Sequence, residues 1–165
     1  MIILGVDPGS AITGYAILKK EGGNKQHLEV IDFGCITTDQ FLTTGERLKK
    51  IYKEILKIIA KYKPELMSIE SLYFFKNLKT VMPVSQAKGV ILLAAAEKNI
   101  PVLEFTPLQV KMTVAGYGRA EKKQVQEMIK KMFDLDKFDL KEKNRKKDDA
   151  FDALGVAACA AFKSY

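Results

Sequence analysis

The chain has 165 residues, nearly half of them apolar, with a formal charge of +7 and a pI near 9.3. That length suffices for one domain with a complete core and leaves little for a second; the apolar content excludes a disordered chain, and the basic balance favours a polyanionic partner. The longest apolar stretch, residues 89–96, is too short to cross a bilayer, Met1 enters a strand pattern with no basic leader, and Cys35 and Cys159 lack CxxC spacing, so the expected setting is cytoplasmic with reduced thiols.

In chain order, residues 2–6 form a continuous apolar run suited to a central strand covered on both faces. Asp7-Pro-Gly-Ser10 then forces a turn, because Pro8 fixes φ and Gly9 permits a tight reversal. Residues 13–18 and 27–37 read as two further strands joined by a polar hairpin loop over 19–26. Over 45–63, Leu48, Ile51, Ile55, Ile58 and Ile59 recur at helical spacing with lysines opposite, and Pro64 ends that helix. Residues 66–69 are a fourth strand, 84–98 a helix with a small-residue seam, and 100–105 a fifth strand. Thr106 caps a short helix through Thr113 with Pro107 at its first position. After Gly116-Tyr-Gly118, residues 122–133 form a helix, 134–147 a polar lysine-rich loop, and 150–161 a final helix of small residues. Three hairpin-like strands followed by alternating helices and strands describe an α/β fold, a mixed sheet between helices, in a single domain over 1–165.

Carboxylates close or open the elements that should converge. Asp7 ends the first strand and Glu70 the fourth, and ligands favour the carboxyl ends of central strands. Asp149 and Asp152 open the last helix three residues apart, on one face; Asp148 and Asp152 would also meet, so spacing alone leaves both pairs open. Singly, each is equally well explained as a turn residue, a solvated strand end or a complement to a helix dipole. Gathered together in a basic protein, they repel unless a divalent cation neutralises them.

The cationic and aromatic candidates are Lys111 in the short helix, Lys122 and Lys123 at the start of the next, and the run Tyr73-Phe74-Phe75-Lys76-Asn77 after Glu70. Lysines beside a glycine break can hold a phosphate. Aromatics in a loop either plug the core or stack on unpaired bases, with Lys76 at the phosphates. Arg145-Lys-Lys147 can pair with the acids or track a phosphodiester. His27, the one histidine, sits in a hairpin and supports no Ser-His-Asp or Cys-His chemistry.

Taken together, Asp7-Pro-Gly-Ser-Ala-Ile-Thr-Gly-Tyr15, Ile69-Glu70 with its trailing aromatics and Asn77, Ser85-Gln-Ala-Lys-Gly-Val90, Gln109-Val-Lys-Met-Thr-Val-Ala-Gly116, Ala120-Glu-Lys-Lys-Gln-Val125 and Asp149-Ala-Phe-Asp-Ala-Leu154 resemble the RuvC family of Holliday-junction resolvases, in order and over nearly the whole chain. The resemblance implies an RNase H-like fold: a five-stranded mixed sheet flanked by helices on both faces. It implies an endodeoxyribonuclease that nicks two opposed strands of a four-way DNA junction as a homodimer in recombination and repair, leaving 5′-phosphate and 3′-hydroxyl ends. It places the metal-binding acids at Asp7, Glu70, Asp149 and Asp152, choosing Asp149 over Asp148, and the phosphate-contacting lysines at Lys111 and Lys122. It also implies two Mg²⁺ ions per site, with Mn²⁺ able to substitute, and the branch-migration complex RuvAB as partner. The junction-wedging aromatic matches Tyr73, where the family more often has Phe, so Phe74 and Phe75 stay candidates. Ala11 stands where a basic residue often follows the turn.

Three rivals are weaker. An RNase H-like nuclease for RNA or nicked duplex should lack the Lys111 and Lys122 stretches. A silent junction-binding scaffold would not need four acids. An actin-like or sugar-kinase ATPase needs a second lobe for which the chain has no room.

Overall fold

The apolar run of β1 (Ile2–Asp7) occupies the middle of a five-stranded sheet of order β3-β2-β1-β4-β5. The structure, a computed structural model, describes residues 1–22, 27–71, 78–140 and 148–163, with only the backbone of 78–80. β2 (Ile12–Glu21) and β3 (His27–Thr37) run antiparallel on one side of β1, while β4 (Leu66–Glu70) and β5 (Val102–Phe105) run parallel on the other. The mixed five-stranded sheet expected from the sequence is therefore present. β2 extends past Leu18, where the strand was expected to end, because Lys19, Lys20 and Glu21 continue the ladder opposite Glu29, Leu28 and His27. Charged side chains at an exposed hairpin tip break no burial requirement, so polarity is a poor marker of where pairing stops.

Alternation along β1 sends side chains to two cores. Ile3 joins α3 (Pro107–Ala115), α4 (Lys122–Met132) and α5 (Asp148–Phe162) on one face. Leu4 and Val6 face α1 (Thr44–Tyr62) and α2 (Leu78–Glu97) on the other. Helices flank both faces of the sheet, as the α/β reading requires. Among the described residues no helix is long and apolar enough to cross a membrane, and Cys35 and Cys159 are not joined in a disulfide.

Local signals set the helix ends. Thr43 and Glu46 form a capping box before α1, and Lys63 closes it in the left-handed region at φ 49°, just ahead of Pro64. Thr106 and Gln109 form a second box before α3, and Gly116 at φ 68° ends it, two residues beyond the expected Thr113. α2 begins at Leu78 rather than at the expected residue 84, with Pro83 inside its second turn. A proline so near a helix start forfeits one intrahelical bond without ending the helix. The loop expected over 134–147 is not simply polar in its described part. Leu135 is buried, and Phe138 meets the Phe33 ring edge-on at a centroid distance of 5.2 Å.

The small residues matter most where α5 crosses the sheet. A β-carbon on Gly5 would lie 2.5 Å from the Ala153 carbonyl oxygen, and one on Gly14 would lie 1.9 Å from that of Asp149. Gly14 is the cross-strand partner of Asp7. The first turn of α5 thus rests on the backbone of β2, beside the end of β1.

Candidate active site

Asp7 and Glu70 end adjacent parallel strands, with Val6 opposite Ile69 in register. The charge of Glu70 acts on Asp7 across this strand pair. Asp7 is the hub of the cluster. Burial, then the charges of Glu70, Asp152 and Asp149, push its pKa well above the ordinary carboxylate value, with Lys122 pulling weakly the other way. Glu70 is pushed up to about 7, chiefly by burial and then by Asp152. Burial also raises Asp152, against a hydrogen bond from Lys122.

At the start of the last helix the two neighbouring acids face different surroundings. Asp148 is exposed, accepts a hydrogen bond from Gln126 Nε2 at 2.9 Å and lies 3.5 Å from Lys122 Nζ. The Gln126 bond holds its carboxyl below the usual range. Asp149 instead faces the end of β1, where its charge reaches Asp7, and it lines a cleft of about 340 Å³ with Gly9, Ser10, Ala11 and Ile12. Gln126 was not singled out from sequence; its spacing along α4 carries no signal for a partner on another helix.

Glu70 and Asp152 line a second cleft of about 280 Å³ with Lys111 and Lys122, over an apolar floor of Val110, Val125 and Gly155. Lys122 Nζ donates to Asp152 Oδ2 at 2.9 Å. Burial alone would lower Lys122, but Asp152 and Asp148 outweigh it and raise its pKa. This internal ion pair is the feature that sequence reading missed. Lys123 is exposed and does not line the cleft. Tyr73, Phe74, Phe75, Lys76 and Asn77, and Arg145 to Lys147, lie outside the described residues.

Four carboxylates form an all-oxygen donor set suited to a hard divalent cation. Among the described residues no three Asp, Glu, His or Cys side chains already stand as a metal cage. The Lys122–Asp152 ion pair occupies one carboxylate that a cation would claim. Because Mg²⁺ keeps several waters and takes few protein carboxylates, the residues fit such an ion.

A mixed sheet of this order, with acids at the ends of β1 and β4 and on a helix laid across them, defines an RNase H-like fold with a nuclease-type acidic site. Comparison with known proteins narrows the class. The model of the crossover junction endodeoxyribonuclease RuvC family matches residues 3–160, and the chain belongs to that family of nucleases. A crossover junction endodeoxyribonuclease RuvC from Thermosipho melanesiensis is 46% identical over 99% of each chain. One from Alkaliphilus metalliredigens is 50% identical over 100% of this chain and 95% of its own. The structure of T. thermophilus RuvC in complex with a Holliday junction substrate superposes with a TM-score of 0.85 at 27% identity, covering 98% of this chain and 93% of that one.

Proposed function

We propose that the chain resolves four-way DNA junctions by nicking two opposed strands symmetrically, leaving 5′-phosphate and 3′-hydroxyl ends for ligation during recombination and repair. The observation that carries this reading is the convergence of Asp7, Glu70, Asp149 and Asp152 at the end of the central strand, with Lys111 and Lys122 on the rim. Family membership and the junction-bound relative support the choice of substrate.

Mg²⁺, two ions per site with Mn²⁺ as a substitute, would activate a water and stabilise the leaving oxygen. The protein's part is to prepare that site. Asp7, Glu70 and Asp152 would hold the ions as carboxylates, which would draw Asp152 from Lys122. Lys122 is then released to meet the charge that builds on the phosphate, with Lys111 beside it on the cleft wall. Asp149, seated by Gly14, completes the acidic set. In this reading Tyr73, Phe74 or Phe75 wedges the junction, and Lys76, Asn77 and Lys123 contact its backbone.

Two symmetric cuts need two sites, so we infer a homodimer. α2 presents an unpartnered stripe of Met82 (63% exposed), Gly89, whose α-carbon faces open space, and Leu93 (52% exposed), at spacings of seven and four. Such a seam suits a second copy. We further infer a single nuclease domain acting in the cytoplasm alongside the branch-migration complex RuvAB.

The test is an end-labelled four-way junction incubated with the protein in Mg²⁺ and in EDTA. Paired nicks at matching positions in opposed strands, sealed by ligase and absent in EDTA, are the expected result. Equal cutting of plain duplex, or cuts that ligase cannot seal, would overturn the reading.

A further inference from the structure

The Asp149 cleft does not stop at the acids. It runs over the turn after β1 to Ser10 and Pro83, and both residues also line a further cavity of about 210 Å³ that reaches Thr44 and Arg47 at the start of α1. The two cavities lie side by side with Ser10 and Pro83 as their common wall, and together lead from the acidic cluster toward a cation.

The turn at this common wall is polarised by its own hydrogen bonds. Three successive carbonyls, those of Gly9, Ser10 and Ala11, are taken up by internal donors. Thr13 Oγ1 donates to Gly9 O at 2.6 Å, Thr38 Oγ1 to Ser10 O at 2.7 Å, and Thr38 N to Ala11 O at 3.0 Å. Among the described residues, the N–H groups of Ser10 and Ala11 and the hydroxyl of Ser10 donate to no acceptor. Consumed acceptors and open donors make this surface selective for an anion. Gly9 permits the turn, since a β-carbon there would lie 2.0 Å from the Ile12 carbonyl oxygen.

Arg47 is set up in the same way. Its Nε donates to Leu42 O at 3.2 Å, which fixes the side chain and leaves the terminal guanidinium nitrogens without a partner among the described residues. The neighbouring Glu46 does not compete for it, because the capping box commits that carboxylate to Thr43 N at 2.8 Å and Thr43 Oγ1 at 2.7 Å. No carboxylate lies within ion-pair distance of Arg47 among the described residues. A half-buried arginine with a free planar edge, in a groove of open donors, is a phosphate site.

We propose that this groove is a track for the cleaved strand's backbone, in which the Ser10–Ala11 turn holds one phosphate and Arg47 a second, farther from the cut. Arg47 thereby supplies the cation that Ala11 does not. The inference rests on the nuclease reading for the identity of the strand, but the chemistry it assigns is recognition of a phosphodiester.

The experiment measures junction binding in Ca²⁺ against salt for wild type, Arg47→Gln and Arg47→Lys. Loss of one phosphate contact should weaken Arg47→Gln roughly tenfold near 0.1 M salt and reduce the slope of log K against log salt by about 0.9, with Arg47→Lys keeping most of the slope. Junctions carrying a single neutral methylphosphonate at successive positions then locate the contact. One position should weaken wild type and leave Arg47→Gln unaffected. A wild-type slope in Arg47→Gln overturns the proposal, as does equal weakening of both proteins at every methylphosphonate position. If Arg47 only braced Leu42, Arg47→Gln would melt earlier while its folded fraction kept the wild-type slope. Failure of wild type to nick the junction in Mg²⁺ would refute the nuclease reading, whereas the slope comparison on any DNA decides the track by itself.

Discussion

Gly14→Ala should damage the acidic cluster without touching any acid. The new β-carbon would sit 1.9 Å from the Asp149 carbonyl oxygen, where ordinary contact begins at 3.4 Å. Neither group can yield cheaply, since one belongs to a central β-ladder and the other to the backbone of α5. The first turn of α5 must therefore retreat by roughly 1.5 Å. It carries Asp149 with it, away from Asp7, the cross-strand partner of Gly14. Misplacing a catalytic group by about 1 Å costs on the order of 100-fold in rate. The same overpacking should cost about 1–3 kcal/mol of stability. Single-turnover nicking of a junction in saturating Mg²⁺, below the melting transition of each variant, reads the first effect, and a thermal melt the second. Gly45→Ala is the control, because a β-carbon there meets nothing within 4 Å; it should nick and melt as wild type or slightly better. If Gly14→Ala cuts within about threefold of wild type with an unchanged melt, α5 does not seat Asp149 through this contact.

Glu70 makes the metal-free protein pH-sensitive. Its folded pKa is about 7 against an ordinary 4.5, so the folded state holds a proton that the unfolded chain has released. The associated stability is fully present below 4.5 and is lost as pH rises toward 7. Melts in EDTA should fall between pH 5 and pH 7, Mg²⁺ should reverse the fall above it, and Glu70→Gln should make it shallower; a melt rising across that window in EDTA would contradict this. Lys122→Met leaves Asp152 half-buried without its cation, and nicking should fall by about 10²–10³ while junction affinity in Ca²⁺ changes less than about tenfold; similar losses in both would make Lys122 a binding residue alone. Ser68 Oγ is buried with no hydrogen-bond partner, so Ser68→Ala should stay within about 1 kcal/mol of wild type in denaturant melts and keep full activity. A loss above about 2 kcal/mol would reveal a partner that the hydroxyl serves.

What could be read in advance was set by chemistry local to the chain. Asp7 and Glu70 stood out because each closes an apolar run, and a strand that buries both faces belongs near the centre of a sheet. The cap at Thr106, the glycine at 116 and the proline at 64 punctuate helices from within a few residues. Information carried between distant segments was not legible. Asp148 and Asp149 are equivalent by spacing, and only Gln126 on one side and Gly14 on the other separate them. The helix expected from residue 84 had already completed a turn by then, having begun at Leu78. Leu135 and Phe138 were masked by surrounding lysines, although Phe33 waits for Phe138 across the core. Arg47 carries no signal in the sequence alone, because the cavity it lines is completed by Ser10 and Pro83, far away in sequence.

The central claim is that four converging acids make this protein a metal-dependent nuclease for branched DNA. The most direct measurement pairs single-turnover junction nicking in Mg²⁺ with junction binding in Ca²⁺, for wild type and Asp7→Asn. Wild-type affinity with a rate reduced by several orders of magnitude in Asp7→Asn is the predicted result. Nicking by Asp7→Asn at a rate close to wild type would contradict the claim, and so would loss of binding and of the folded state together, which would make Asp7 a structural residue.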